Sequence, residues 1–251
     1  MTETADSREK YRNEWKYYIS LWEGELLKRR LLPFMEPDPN TENGIYMIRS
    51  LYFDDYWNSG YEEKLMGVEE RQKWRVRIYN YSDHRIMLER KKKRGSYIHK
   101  DSAPLTREEY DKIISGDYGF LLCSRYALCR EFYYECMVNL YRPKVIVDYE
   151  REPLIRREGD VRITFDMNIR AGTFNYDIFD PHLPVQSVLE PGTMVLEVKF
   201  TEMLPGIIKE LLPLDGQAFS AISKYTLCYE KAFCITDPLA GISKTNRRNR
   251  R

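Results

Sequence analysis

Lys73–Lys100, KWRVRIYNYSDHRIMLERKKKRGSYIHK, carries charge where a half-buried strand usually carries small polar residues. The stretch reads as two or three strands. Arg75 and Arg77 alternate with Val76 and Ile78, while Glu89, Lys91 and Lys93 alternate with Leu88 and, less cleanly, with Arg90 and Lys92. Successive side chains of a strand point to opposite faces, so Arg75 and Arg77 share one face and Val76 and Ile78 cover the other. Two arginines side by side repel unless an anion sits over them. For one strand alone a solvated face would suffice, because charged residues are mostly exposed.

The pattern repeats. In RNEWKYYIS, Arg12 to Ser20, Arg12, Glu14 and Lys16 oppose Trp15 and Tyr17. In VRITFDMNIR, Val161 to Arg170, Arg162, Thr164 and Asp166 oppose Ile163 and Phe165. In TMVLEVKF, Thr193 to Phe200, Glu197 and Lys199 oppose Leu196, Val198 and Phe200. Ile45–Asp55 and Lys144–Arg151 are further strands, rich in β-formers. Helices need an apolar sheet face to pack on, and these strands supply it. An α+β fold follows: an antiparallel β-barrel, apolar and helix-covered outside, charged and wet inside, its closure removing the exposed edges. Convergent Arg and Lys in such a lumen call for a polyanion. The carboxylates among them must pair with those bases or hold a divalent cation.

Between the strands, Ser20 with Glu23 and Thr106 with Glu109 match capping boxes that start helices running to about Arg30 and to near Gly116. A longer helix is predicted from about Phe120 to Tyr141, a short helix or turn over Asn58–Met66, and a short helix from Pro205 to about Leu212. Glu36–Gly44 is a loop by its Pro, Asn and Gly content. Ser223, Lys224 and Tyr225 open the last ordered segment. One domain over 11–235 is expected, with disordered residues 1–10 and a basic tail over 236–251. Asp54 and Asp55 read equally as turn residues or as groups at a tunnel mouth, the Lys92–Arg94 run as surface, and Tyr149 and Arg151 as ambiguous in their facing, with Arg151 a second-rank candidate for the lumen.

Composition bounds the rest. The chain has 251 residues, 43% apolar and 14% aromatic, which suits a globular protein with a proper core. Its net charge of +1 conceals 31% charged residues, so any binding preference comes from local segregation of charge. Five cysteines without a CxxC pair read as reduced core residues, and three scattered histidines offer no ligand pair. No apolar run is long enough to span a bilayer and the amino terminus lacks the order of a signal peptide, so a cytoplasmic protein is expected. The basic tail has no base-stacking or groove-reading module beside it, so specific nucleic-acid recognition is not expected.

In this order, EWKYYIS, RSLYFDD, KWRVRIYN, LERKKKRGSYIHK, RPKVIVDYER, VRITFDMNIR, MVLEVKF and SKY resemble the triphosphate tunnel metalloenzymes, and most of all the catalytic domain of the vacuolar transporter chaperone (VTC) type of polyphosphate polymerase. The resemblance implies an eight-stranded antiparallel tunnel with flanking helices. It implies transfer of the terminal phosphoryl group of ATP onto a polyphosphate chain, with Mn2+ or Mg2+ as cofactor. Carried over by motif, Lys16, Arg75, Arg77, Lys91, Lys100, Arg162 and Lys224 would hold phosphates, with Arg75, Arg77, Lys91, Arg162 and Lys224 acting on the transferring group. Ser223 would serve the chain end, Glu197 the metal, and Glu89 would line the lumen beside them. Lys199 would hold phosphate or pair with a carboxylate. Arg12 stands where many tunnel hydrolases begin a Glu-x-Glu-x-Lys strand, which favours a more basic, polymer-holding tunnel. The alternatives are a tunnel triphosphatase acting on inorganic triphosphate or a nucleotide, and a non-catalytic polyphosphate-binding module. A separate membrane protein would have to carry any polymer across a bilayer, and would be what brings the chain to the inner face of a membrane.

Overall fold

The computed structural model describes residues 12–41, 43–95, 97–201, 203–212 and 222–233. The expected disordered start, 1–10, and the basic tail, 236–251, lie outside the described residues, as does Cys234. In chain order the elements are β1 (Arg12–Ser20), α1 (Leu21–Leu31), β2 (Glu36–Pro37), β3 (Tyr46–Asp54), α2 (Ser59–Leu65), β4 (Glu70–Tyr79), β5 (Ser82–Arg94), β6 (Tyr97–Leu105), α3 (Arg107–Ser115), α4 (Ala127–Val138), β7 (Arg142–Arg156), β8 (Val161–Gly172), β9 (Gln186–Ser187), β10 (Thr193–Thr201), α5 (Gly206–Leu211) and α6 (Lys224–Ala232).

The opening stretch becomes β4, β5 and the start of β6. Asn80 and Tyr81, at φ 50° and 57°, form the hairpin turn between β4 and β5. Positive φ at both central residues is the type I′ geometry that matches the twist of paired strands. The long strands follow the order β1-β10-β8-β7-β3-β4-β5-β6, with β2 paired to β7 and β9 to β8. Every pairing is antiparallel. The expected α+β tunnel with flanking helices is therefore present, although its closure differs from that of a full barrel. Among the described residues no backbone ladder joins the two path ends, β1 and β6. Side chains reach across instead, with Lys91 Nζ of β5 3.1 Å from Glu14 Oε2 of β1.

Both capping boxes form, so α1 and α3 start where Ser20 and Thr106 place them. The continuous helix expected over Phe120–Tyr141 is not observed. A 3-10 turn at Gly119–Cys123 is separated from α4 by an extended Ser124. The Ser124 hydroxyl accepts from the Tyr126 amide at 3.2 Å and its carbonyl accepts from Arg130 at 2.5 Å, local bonds that compete with helix propagation. Cys129, Cys136 and Cys228 are buried and free as expected, but Cys123 is exposed. Among the described residues no helix is long and apolar enough to cross a membrane.

Two cores lie on the outer face. Trp74 and Phe53 pack on Phe132 of α4, with ring centroids 5.1 Å apart in each pair. Leu27 and Leu31 of α1, with Ile208 of α5, pack on Ile163, Leu196 and Val198. A third core lies on the inner face: Ile48, Tyr52, Val147, Tyr149 and Val195 are covered by Tyr225, Cys228 and Tyr229 of α6. The lumen is thus apolar where α6 lies and charged beyond its amino-terminal end.

The outer face also holds one fully buried ion pair. Arg49 donates to Asp148 Oδ2 through Nε at 3.2 Å and Nη2 at 2.7 Å, and through Nη1 to the Ile178 and Asp180 carbonyls at 3.3 and 2.5 Å. This arginine fastens the loop after β8 to the sheet. Arg49→Ala leaves Asp148 buried with only Arg170, 3.5 Å away. It should destabilise the protein by about 3 kcal/mol or more, read as a lower urea midpoint at unchanged slope.

Candidate functional site

Where β1, β10, β7, β4 and β5 turn their inner faces towards the amino-terminal end of α6, they enclose a cavity of about 280 Å3. Eleven of its nineteen lining residues are Lys or Arg, and only Glu14 and Glu197 are acidic. The strand period places these side chains together. Arg71, Lys73, Arg75 and Arg77 are alternate residues of β4, and Glu197 and Lys199 are alternate residues of β10.

Of the residues singled out from sequence, Lys16, Arg75, Arg77, Lys91, Glu197, Lys199, Ser223 and Lys224 line this cavity. Three do not. Arg162 is drawn away by Asp38 Oδ2 at 2.7 Å and the Tyr46 hydroxyl at 2.9 Å. Lys100 stands on β6 with Nζ 3.0 Å from Glu89 Oε1. Glu89 is buried on the inner face of β5, accepting from Arg75 Nε at 2.8 Å and so fixing that guanidinium, which also donates to the Tyr52 hydroxyl at 2.8 Å. The residues missed are Lys64, Arg71, Lys73, Tyr52 and Tyr225, while Tyr149 and Arg151, ambiguous in their facing from sequence, line the cavity as well. Lys93, read as surface, also lines the cavity, while Lys92 and Arg94 are exposed as expected. Asp54 and Asp55 are turn residues: Asp54 takes the Gly60 and Tyr61 amides and the Tyr225 hydroxyl, and Asp55 takes the Ser59 amide.

The cavity has two electrostatic halves. In one, each carboxylate is bracketed by cations. Glu14 lies 2.6 Å from Lys16 and 3.1 Å from Lys91. Glu197 lies 2.7 Å from Lys199, 3.2 Å from Arg151 and 3.8 Å from Lys224. Asp166 beneath them accepts from Arg151 at 2.6 Å and pairs with Lys224 at 2.5 Å. Burial alone would raise the Glu197 carboxyl, but Lys199, Lys16, Lys224 and Arg151 outweigh it and hold it well below the usual range. Glu14 and Asp166 are lowered in the same way, by Lys91 and by Arg151 respectively. Lys224 is correspondingly raised: Asp166 and Glu197 outweigh its burial.

In the other half, Lys64, Arg71, Lys73 and Lys93 have no ion pair among the described residues, and Lys91 stands at the border with Glu14 on its far side. Lys73 faces Lys91 across the β4–β5 ladder, and Arg71 faces Lys93. Directly opposed like charges destabilise a sheet. Burial and then Lys64 and Arg71 pull the Lys73 ammonium down to about 7, and its Nζ donates to Ser223 Oγ at 3.0 Å. Burial likewise pulls Lys91 down to about 8, against the opposing pull of Glu14.

A divalent cation would find few protein ligands: among the described residues no three His, Cys, Asp or Glu side chains gather to hold one. One or two carboxylates supplemented by phosphate oxygens and water suit Mg2+ or Mn2+. Glu197, with Glu14 nearby, fits an ion that is held jointly with substrate phosphate. The phosphates would meanwhile compete for the Lys199 and Arg151 that now engage Glu197.

The depressed Lys73 yields a pH dependence. The unfolded chain keeps this proton to about pH 10, whereas the native state releases it near 7. Between those values the unfolded state binds more protons, so stability rises with pH. Chemical denaturation of the unliganded protein should show a gain from pH 7 to 8 that is reduced in Lys73→Met; an identical profile in the variant would refute the assignment.

A domain-family profile described as the VTC domain matches residues 11–233. No curated protein matches the chain. Among solved structures, a candidate adenylyl cyclase from Hippeastrum with a dominant triphosphatase activity is 14% identical, covering 92% of this chain and 98% of its own, with a TM-score of 0.54. A protein from Pyrococcus horikoshii is also 14% identical, covering 88% and 99% at a TM-score of 0.47. A candidate adenylate cyclase from Bacillus halodurans is 9% identical, covering 92% and 97% at 0.46. The first of these likenesses reinforces the tunnel fold, and the profile spans nearly every described element: the chain belongs to the VTC domain family.

Proposed function

We propose that the chain is a polyphosphate polymerase, moving the terminal phosphoryl group of ATP onto a condensed-phosphate chain inside the tunnel. The observation that carries this reading is a walled cavity with eleven cations around two carboxylates, both of them already ion-paired. Phosphoryl transfer needs in-line positioning and neutralisation of the equatorial oxygens more than covalent help from the protein. Arg75, fixed by Glu89 and Tyr52, and Arg77, held by Ser50 Oγ at 3.0 Å, present guanidinium groups suited to phosphate oxygens. Lys16, Lys91, Lys199 and Lys224 add compact charges, and the amino-terminal end of α6 at Ser223 adds its dipole.

In the reaction, a terminal oxygen of the acceptor chain attacks the γ-phosphorus of ATP. The bond from that phosphorus to the β,γ-bridging oxygen breaks, ADP leaves, and the chain lengthens by one unit. The acceptor oxygen is already ionised near neutral pH, so no general base is needed. A divalent cation held by Glu197 and phosphate oxygens would supply further neutralisation of the charge that develops on the leaving group.

Hydrolysis is the second reading, and the triphosphatase activity of the Hippeastrum protein speaks for it. Against it, a water nucleophile gains from a basic carboxylate. Glu14 and Glu197 are both held below the ordinary range by their lysines, which makes them weak bases.

Purified protein given ATP with Mn2+ or Mg2+ should form ADP and a ladder of long polymer on a gel. Free phosphate without polymer would establish the triphosphatase, and tight polyphosphate binding without turnover the binding module. Arg75→Ala and Arg77→Ala should each lower polymer formation by about a hundredfold or more, with the circular dichroism spectrum retained. Loss of the fold in either variant would contradict their placement on the cavity wall.

A further inference from the structure

β4 carries Arg71, Lys73, Arg75 and Arg77 on one face, a row of four cations spanning about 20 Å at the rise of a strand. A triphosphate, three phosphorus atoms long, cannot cover that row. The two ends of the row have different surroundings. Arg75 is fixed by Glu89, and Arg77 by Ser50. Around Arg71 and Lys73 the added groups are Lys64 from α2 and Lys93 from β5, with no ion pair to any of these four among the described residues.

We propose that Lys64, Arg71, Lys73 and Lys93 form a separate subsite for the part of a condensed-phosphate chain that extends beyond a triphosphate, and that this subsite takes the acceptor strand of the transfer. The proposal rests on the polymerase reading and adds to it a division of the cavity. A donor triphosphate can bring a metal ion, and the carboxylates that could share that ion, Glu14 and Glu197, lie in the other half. An acceptor chain without a metal must be neutralised by protein cations alone, and the half whose cations carry no ion pair among the described residues supplies them. Arg71 opposite Lys93 and Lys73 opposite Lys91 are like-charge cross-strand pairs whose repulsion a bound polyanion relieves.

The groups facing Lys73 agree with this. Lys64 comes from α2, Arg71 from its own strand, Lys91 from β5 and Lys16 from β1, and all of them disfavour its charge. From the α6 side it meets the Ser223 hydroxyl and the Tyr225 ring, 4.7 Å from Nζ. On β3, Asp54 is engaged by backbone amides and the Tyr225 hydroxyl. A phosphate chain alongside would therefore return a proton to Lys73.

The test uses the full chain without nucleotide or divalent metal, so that nothing turns over. Tripolyphosphate and a longer inorganic polyphosphate of narrow length are titrated calorimetrically into the native protein and into Lys73→Met, Arg71→Met and Lys199→Met. Lys73→Met and Arg71→Met should weaken the long chain by about tenfold or more, as expected for losing one charge-assisted contact, and tripolyphosphate by much less. Lys199→Met, in the carboxylate-bearing half, should weaken both. Equal losses on both ligands in all three variants would overturn the subsite. As a second measurement, long-chain binding at pH 8 in buffers of different ionisation enthalpy should show proton uptake that Lys73→Arg diminishes; undiminished uptake would also overturn it. A length-dependent loss in a protein that makes no polymer would keep the subsite and reject the polymerase. Polymer synthesis with equal losses would do the reverse.

Discussion

Repulsion among cations held inside a wall is the constraint on which the rest of this structure depends. Lys and Arg are seldom buried without partners, yet here eleven of them surround one cavity. Glu14, Asp166 and Glu197 lash one half together through Lys16, Lys91, Lys199, Arg151 and Lys224. The scaffold withstands the remaining repulsion through three apolar cores, two outside the sheet and one inside beneath α6. The inner core also seats α6 so that Ser223 and Lys224 reach the cavity.

Much of this was legible from alternation. Arg75, Arg77, Lys16, Glu197 and Lys199 all face inwards because a strand cannot do otherwise with its even and odd positions. Ser20 with Glu23 and Thr106 with Glu109 gave the helix starts because a capping box is a local device. Lys73 has the same parity as Arg75 and could have been found by extending the row one step. Lys93 was hidden because four consecutive basic residues, Lys91 to Arg94, mask a period of two.

The remaining differences between the sequence reading and the structure have tertiary causes. Arg162 has an inward-facing neighbour in Thr164, but Asp38 and Tyr46 capture its side chain, and neither contact can be read from β8 alone. Arg151 was ambiguous because β7 is apolar on both faces just before it, with Val145 and Val147 in the inner core and Ile146 in an outer one, so no charge alternation marks its parity. The placement of α6 inside the sheet was not visible at all. An apolar helix face looks the same in sequence whichever side of a sheet it covers. Lys64 reaches the cavity from a helix, where strand parity offers no guide.

The two halves of the cavity also set what it can do. Carboxylates bracketed by lysines make weak bases, so the site is better built for holding and aligning anions than for activating water. The central claim is that condensed phosphate relieves a repulsion built into the fold. Its most direct test is the thermal unfolding midpoint of the metal-free protein with tripolyphosphate, against sulfate at matched ionic strength. The account predicts a rise of several degrees with tripolyphosphate that grows with its concentration, as binding to the native state alone requires. No rise, or an equal rise with sulfate, would contradict it.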